Sequence, residues 1–208
     1  MLRIIATVAL AGTLCACAAG ASPPSLLHPK TLNAKAPATY GVVFNTTKGT
    51  FKVKVTRAWA PHGADRFYNL VKNKYYDGVR FFRVVPGFVV QFGIHPKPKI
   101  AQAWQTANIK DDPVKKSNTN WMLTFATAGP NTRTTQIFIN LNNNASLDAQ
   151  GFAPFAKVTS GQKIIGKLYN KYREQPTNAQ QQMTQQGDAF IKKNFPKLDR
   201  IVTARIGG

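Results

Sequence analysis

One segment, residues 81–93, constrains the fold of this 208-residue chain more than any other. It reads FFRVVPGFVVQFG, so that Arg83 lies among bulky apolar residues and a Pro-Gly pair interrupts the run. Because a guanidinium keeps its charge and is costly to bury without a partner, we expect Arg83 to line an apolar groove. Strict alternation along a strand would place Phe88 and Gln91 on opposite faces. A bulge or twist is therefore expected between them if both serve one site.

A second segment, residues 129–140, gives a turn followed by a strand. In this strand Gln136 and Phe138 are two residues apart and share a face, whereas Ile137 and Ile139 point the other way into a core. The two segments therefore each offer an amide and a phenyl ring from a strand.

Both segments resemble the signature segments of the cyclophilin-type peptidyl-prolyl isomerases. The first matches at Phe81, Arg83, Pro86, Gly87, Phe88 and Gln91, and the second at residues 128–132, Gln136 and Phe138. The resemblance runs from about residue 40 to about residue 168, and more weakly over the last residues. It implies a mainly β fold: a closed, eight-stranded, antiparallel cyclophilin-like barrel capped by two helices. Many short strands with only two substantial helices are also typical of such a barrel.

The resemblance also implies roles for individual residues. Arg83 would donate a hydrogen bond to the prolyl nitrogen of a twisted amide, and Gln91 and Gln136 would orient Arg83 or the substrate carbonyl. The substrate would contact an apolar pocket formed by Phe88, Val89, Phe125, Ala126, Thr127, Phe138, Leu147 and Phe152. No cofactor or metal is expected, since this chemistry needs neither.

Several positions depart from the family pattern. Phe82 stands where a histidine commonly precedes the arginine, Thr127 where an asparagine is usual, and Ser146 where many members have an aromatic residue. A one-residue length difference precedes Phe155, so Phe152 is only an offset match to the pocket histidine of other members. The departures at Ser146 and Thr127 keep open a second hypothesis, a proline-peptide binding or chaperone module with little turnover.

Residues 1–19 are typical of a secretory signal. Arg3 gives a short basic start, and the apolar run that follows is too short to span a bilayer. Both cysteines, Cys15 and Cys17, lie here, which excludes disulfides and zinc-cysteine sites from the rest of the chain. We expect an exported protein.

Residues 14–17 resemble a bacterial lipoprotein box, in which Cys17 would receive lipid and tether the protein to a membrane. Ordinary cleavage near Ala18 is the alternative. The expected location is therefore the periplasm, either free or as a membrane-anchored lipoprotein.

The remainder is expected to form an extended linker over residues 20–39, which is rich in proline, and one isomerase domain over residues 40–208. Within the domain a Gln-rich insertion near residues 174–187 has few apolar residues and is expected to be flexible or loosely helical.

Periodicity predicts a hairpin of residues 40–46 and 50–56 and amphipathic helices over residues 65–74 and 162–172.

The formal net charge is +20, from 28 basic and 8 acidic residues. The basic residues are scattered rather than gathered in a stripe with aromatic residues, so a solvated surface is expected and a nucleic-acid partner is not. The excess charge nonetheless motivates a third hypothesis, a basic module for anionic polymers or membranes. The expected partners are proline-containing polypeptides, and a monomer is expected.

Few other residues could carry chemistry. His28, His62 and His95 have no suitable partners in the sequence and are expected on the surface. Asp111 and Asp112 form the only acidic pair, which is expected to cap a helix or to face solvent rather than to bind metal.

Overall fold

A computed structural model describes residues 24–207 of the chain. The expected signal at residues 1–19 and its candidate lipid anchor, Cys17, lie outside the described residues. The described part forms one antiparallel sheet in the strand order β3-β4-β6-β5-β7-β2-β1-β8. Its strands are β1 (Thr39–Thr46), β2 (Gly49–Thr56), β3 (Phe81–Val85), β4 (Val89–Phe92), β5 (Met122–Phe125), β6 (Ile137–Asn140), β7 (Pro154–Ser160) and β8 (Ile201–Ile206). The predictions of a mainly β fold and of eight antiparallel strands are confirmed.

The sheet curls without closing, so the prediction of a closed barrel is wrong. β3 and β8 are the two ends of the strand order. No strand ladder joins them: the seam has one isolated bridge, Arg80 to Arg200, and a few backbone hydrogen bonds, such as that from the Phe81 amide to the Asp199 carbonyl. The fold is therefore an open half-barrel, and β3, the strand that carries Arg83, lies at its edge.

The β1–β2 hairpin illustrates how the core forms. Phe51, Val53 and Val55 are buried in β2, while Lys52 and Lys54 between them are exposed. This is the alternation that the sequence predicts for a strand with one buried and one solvent-exposed face. The apolar faces of the curled sheet and of helix α1 (Pro61–Lys72) enclose the main core.

Among residues 24–207 the structure has five α-helices, of which α1, with 12 residues, is the longest. They are α1, α2 (Pro98–Gln105), α3 (Gln162–Ile165), α4 (Gln180–Gln186) and α5 (Asp188–Asn194). The helix predicted over residues 162–172 ends at Ile165, because a glycine, Gly166, follows and the backbone continues in turns. In the described residues no helix has the length and apolar character needed to cross a membrane.

The segment predicted as an extended linker is instead packed on the domain where it is described. Two short 3-10 helices, Pro24–Leu27 and Pro29–Thr31, lie at its start. Leu26 is 2% exposed, and its carbonyl accepts a hydrogen bond of 2.8 Å from the indole of Trp104. Burying the apolar side chain of Leu26 is favourable and holds the segment on the domain. The high proline content from which a linker was predicted does not reveal this contact.

The insertion near residues 174–187 is ordered by a second, smaller core. It consists of a 3-10 helix, Gln175–Ala179, and α4. Met183 of α4 is fully buried and packs in a cluster with Phe82, Ile94, Ala101, Ile191 and Leu198. Of the two alternatives expected, flexible or loosely helical, the structure has the helical one, because one methionine and flanking aromatic residues supply enough apolar surface to hold the segment.

Candidate active site

A row of four residues crosses four neighbouring strands and defines the outer face of the candidate site. Arg83 of β3 pairs with Gln91 of β4, Gln91 pairs with Phe138 of β6, and Phe138 pairs with Thr124 of β5. Directly paired residues in an antiparallel sheet project to the same face. The alternation predicted for the second segment is confirmed, since Ile137 and Ile139 are both fully buried in the main core.

The expected irregularity lies one strand earlier than predicted. The register shifts between Phe81 and Arg83, which leaves Phe82 as the extra residue of a bulge in β3. β4 begins at Val89, so Phe88 belongs to the turn and is not bound by the alternation that applies to Gln91. Phe82, which replaces the usual histidine, is 1% exposed and packs in the second core beneath the insertion.

The three predicted catalytic side chains form one hydrogen-bonded chain. Nη1 of Arg83 donates to Oε1 of Gln91 over 3.1 Å, and Nε2 of Gln91 donates to Oε1 of Gln136 over 2.9 Å. Gly93 permits this approach: its φ is +129°, and a Cβ there would lie 2.4 Å from the carbonyl oxygen of Thr135. A residue with a side chain would push Gln136 away from Gln91.

Aromatic rings surround the guanidinium and the adjacent pocket. The Cζ of Arg83 lies 5.2 Å from the ring centroid of Phe88, within the range of a cation–π interaction. The rings of Phe138 and Phe152 meet edge to face with centroids 5.6 Å apart. Phe152 therefore lies beside the pocket strand, as its offset match predicts. Leu147 is half-buried, and its carbonyl accepts a hydrogen bond from the Phe152 amide over 3.3 Å.

Phe125 is the one predicted pocket residue that the structure assigns to the core. It is 1% exposed, and its ring lies 5.1 Å from that of Phe155 in the main core. The reason is the period of the strand: Phe125 pairs with the inward-facing Ile137, opposite in orientation to Thr124 and Phe138. Val89, at the start of β4, is also nearly buried at 2% exposure.

A network of amides that sequence reasoning missed supports the far side of the pocket. Nδ2 of Asn118 donates to the carboxylate of Asp148 over 2.7 Å and to the carbonyl of Phe152 over 2.8 Å. Burial would raise the pKa of Asp148, but the hydrogen bonds from Ser117 and Asn118 outweigh it and hold that pKa below its ordinary value. Asn144 donates to the carbonyl of Phe88 over 3.0 Å. The loop that carries Leu147 and the turn that carries Phe88 are thereby tied together.

Ala126 and Thr127, also predicted to bind substrate, line a polar cavity of about 450 Å³ next to Gln91 and Gln136. The Thr127 hydroxyl contacts the hydroxyl of Thr132 at 2.8 Å and also donates to the Gly129 carbonyl. The opposite wall is formed by α2 and by α4 of the insertion, through Ala101, Gln105, Gln180, Gln181 and Thr184.

Two insertion residues, Glu174 and Gln180, contact the predicted catalytic chain at its two ends. The carboxylate of Glu174 receives hydrogen bonds of 2.8 and 2.9 Å from Nε and Nη2 of Arg83. At the other end, Nε2 of Gln136 donates to Oε1 of Gln180 over 2.9 Å. No local pattern could have revealed these contacts, because Glu174 is separated from Arg83 by 91 positions.

The histidines and acids flagged in the sequence have structural surroundings. His28 and His62 are exposed as predicted, but His95 is 5% exposed, so its expected surface position is wrong. Its Nδ1 accepts the Lys97 amide over 3.0 Å, and burial lowers its pKa to about 4. The ring of Tyr75 packs beside it, with the two centroids 5.1 Å apart.

One member of the acidic pair, Asp112, caps a helix, and the other, Asp111, is exposed, which are the two placements predicted. The two oxygens of Asp112 each accept a hydrogen bond of 2.9 Å from the amides of His62 and Gly63 at the start of α1, and Asp112 also pairs with Arg133. Within residues 24–207 no group of three or more histidine, cysteine or acidic side chains is placed to hold a metal ion.

Comparison with protein families matches residues 41–190 to the model described as "Cyclophilin type peptidyl-prolyl cis-trans isomerase/CLD". Among curated proteins, a peptidyl-prolyl cis-trans isomerase of Acinetobacter baylyi is 32% identical over 145 residues, covering 67% of this chain and 77% of the relative. One from Streptomyces antibioticus is 32% identical over 136 residues, covering 61% of this chain and 81% of the relative.

Solved structures show the same fold. A cyclophilin-type isomerase of Cryptosporidium parvum superposes with a TM-score of 0.62 at 18% identity, covering 82% of this chain and 98% of its own. The structure of that protein in the presence of the dipeptide Ala-Pro superposes with a TM-score of 0.56 at 18% identity, covering 81% of this chain and 99% of its own.

Proposed function

Because the chain belongs to the cyclophilin-type peptidyl-prolyl cis-trans isomerase family, we propose that the groove around Arg83 catalyses rotation about Xaa-Pro bonds in polypeptides. Relatives that are 32% identical to it over the aligned residues carry that enzyme name. The presence of Ala-Pro with a protein of the same fold supports a proline-containing peptide as the ligand.

The reaction makes a limited chemical demand. Rotation about a peptide bond faces a barrier of ~18–20 kcal/mol because the nitrogen shares its lone pair with the carbonyl. In the twisted state the nitrogen regains that lone pair and can accept a hydrogen bond. A fixed donor that meets the nitrogen only then binds the transition state better than either planar isomer, and so accelerates the reaction.

The observation that carries the proposal is the environment of the Arg83 guanidinium. Its side chain is 23% exposed, so it is accessible from the groove, and Gln91 and the Phe88 ring hold it in place. Phe138 and Phe152 offer an aromatic surface for a prolyl ring on the same outer face. Arginine suits this role because its charge is permanent and its planar fork keeps a set direction.

The test is a prolyl isomerisation assay on wild type and Arg83→Ala. We expect kcat/KM to fall by about a hundredfold or more, since the lost donor acts mainly on the transition state. Arg200→Ala, which removes an exposed arginine of equal charge, is the matched control and should retain full activity.

Two results would contradict the proposal. Equal rates for wild type and Arg83→Ala would remove Arg83 from the mechanism. Peptide binding by the wild type, with isomerisation at the uncatalysed rate, would favour the low-turnover binding module.

We also propose that the protein is exported and acts on folding polypeptides outside the cytoplasm. Support comes from the basic start, apolar run and small residues of the amino-terminal segment. Expression in a bacterium with radiolabelled palmitate tests whether Cys17 receives a lipid anchor. The label should enter the wild type and not Cys17→Ser. Export without label would favour ordinary cleavage, and a cytoplasmic pool of uncleaved chain would contradict export.

A further inference from the structure

We propose that Glu174 of the insertion is a positioning residue for Arg83, holding the guanidinium so that its remaining donors serve the substrate. This inference rests on the proposed isomerase function. It assigns a catalytic task to a segment, residues 174–187, that the signature segments do not include.

The geometry of the pair is that of a two-point clamp. Nε of Arg83 donates to Oε2 of Glu174 over 2.8 Å, and Nη2 donates to Oε1 over 2.9 Å. Two parallel bonds between a guanidinium and a carboxylate fix the plane of the arginine as well as its position. Gln91 adds a third contact to Nη1 at 3.1 Å. The side chain is therefore restrained from two sides.

The clamp leaves the arginine able to act. A guanidinium has five N–H donors, and the contacts with Glu174 and Gln91 use three of them. One N–H on each terminal nitrogen therefore remains for a substrate. The carboxylate of Glu174 therefore holds the guanidinium in a fixed orientation and leaves two of its N–H groups free for the substrate.

The insertion is anchored firmly enough to position another residue. Met183 of α4 is fully buried in the second core. Gly187 has a φ of +65°, and a Cβ there would lie 2.3 Å from the Pro96 carbonyl, so the chain fits closely against that loop. Asp188 then pairs with the nearly buried Arg80 at 2.9 Å. These contacts fix both the insertion and the start of β3 that leads to Arg83.

Composition adds a further argument. Glu174 is the only glutamate in the sequence, where eight acidic residues face 28 basic ones. In a chain with so large a positive excess, most arginines and lysines cannot have an acidic partner. The guanidinium at the centre of the candidate site has one, and the contact is bidentate.

The experiment measures steady-state isomerisation by Glu174→Ala and Glu174→Gln, each in the wild-type and in the Arg83→Lys background. In the wild-type background we expect Glu174→Ala to lower kcat about tenfold with little change in KM, as for loss of one charged hydrogen-bonding partner. Glu174→Gln keeps one acceptor and should lie between. In the Arg83→Lys background, which lacks the fork, Glu174→Ala should have almost no further effect.

Controls separate positioning from folding. Glu174 is 52% exposed, so the unfolding midpoint of Glu174→Ala should match that of the wild type. Gln175→Ala, a neighbouring exposed change, should leave kcat unaltered. Unchanged activity in Glu174→Ala, increased activity, or an equal loss in both backgrounds would overturn the inference. An inactive wild type would instead contradict the isomerase function itself.

Discussion

The two sides of Arg83 are built in different ways. On one side, Gln91 and Phe138 reach the site because they pair across neighbouring strands, a consequence of the period-two pattern of each segment. On the other side, Glu174 reaches the same guanidinium from a helical insertion held by a separate core. The β-sheet therefore forms the groove, while the insertion supplies the carboxylate that contacts the guanidinium of Arg83.

The largest expected effect tests the sheet side of the comparison. Phe125→Ala should lower the free energy of unfolding by ~3–5 kcal/mol, because it leaves a cavity in the main core. The kcat/KM of the folded protein should stay within about twofold of wild type, since the ring faces away from the groove. Chemical denaturation and the isomerisation assay measure the two quantities.

Phe138→Ala on the neighbouring strand is the matched change. It should reduce kcat/KM strongly, because its ring contacts Phe152 on the groove face. A greater activity loss in Phe125→Ala than in Phe138→Ala would show that the assignment of faces is wrong.

The next effect tests the insertion. Met183→Ala should lower the free energy of unfolding by ~2–4 kcal/mol through the cavity left in the second core. It should also lower kcat, because the insertion that carries Glu174 becomes less ordered. Met122→Ala, which removes an equal side chain that is 5% exposed on β5, should destabilise the fold with kcat retained. Equal kcat values for the two variants would show that the order of the insertion does not contribute to catalysis.

A smaller effect concerns the loop on which the insertion rests. Burial lowers the pKa of His95 from 6.5 to about 4 in the folded chain. Between pH 4 and pH 6.5 the histidine is protonated in the unfolded chain but neutral in the folded chain. Its contribution to the free energy of unfolding is therefore complete above pH 6.5 and is lost as the pH falls towards 4. From about pH 7.5 to about pH 4.5 the loss should be roughly 2–3 kcal/mol from this group alone.

Urea denaturation at the two pH values measures that loss. His95→Asn retains a hydrogen-bond acceptor but does not titrate, so its stability should change less over the same range. His62→Asn, at an exposed histidine, should behave like the wild type. An identical pH dependence in His95→Asn and the wild type would exclude His95 as the cause.

The smallest effect lies at the far end of the hydrogen-bonded chain. Gln180→Ala removes the acceptor of the Gln136 amide, so kcat/KM should fall by about threefold, as for a neutral hydrogen bond at a partly solvated position. The isomerisation assay measures it beside Gln181→Ala, a neighbouring residue of the same cavity wall. A loss in Gln181→Ala equal to that in Gln180→Ala would indicate a general effect of the wall.

The same contrast explains what the sequence could predict. Alternation predicted the faces of Gln136, Phe138 and Ile137 correctly because it depends on neighbouring residues alone. It also contradicts the pocket role of Phe125, which came from the resemblance rather than from the strand period. Local patterns therefore located most of the groove.

Errors arose where distant parts of the chain meet. Leu26 anchors the supposed linker through Trp104, and Met183 orders the supposed flexible insertion. His95, which the sequence places on the surface, is 5% exposed and packs against Tyr75. In each case a single side chain gains its burial from residues far away in sequence, and the partners can be identified only from the fold.

The open seam of the half-barrel has a further consequence for β3. An edge strand offers unpaired peptide groups to other chains, and such edges promote aggregation unless they are covered. Here the 3-10 helix Gln175–Ala179 packs against β3. Loss of the insertion would thus uncover an apolar edge around Phe82 as well as release Arg83, and the shortened protein would tend to self-associate. The segment that contacts Arg83 therefore also covers the edge strand.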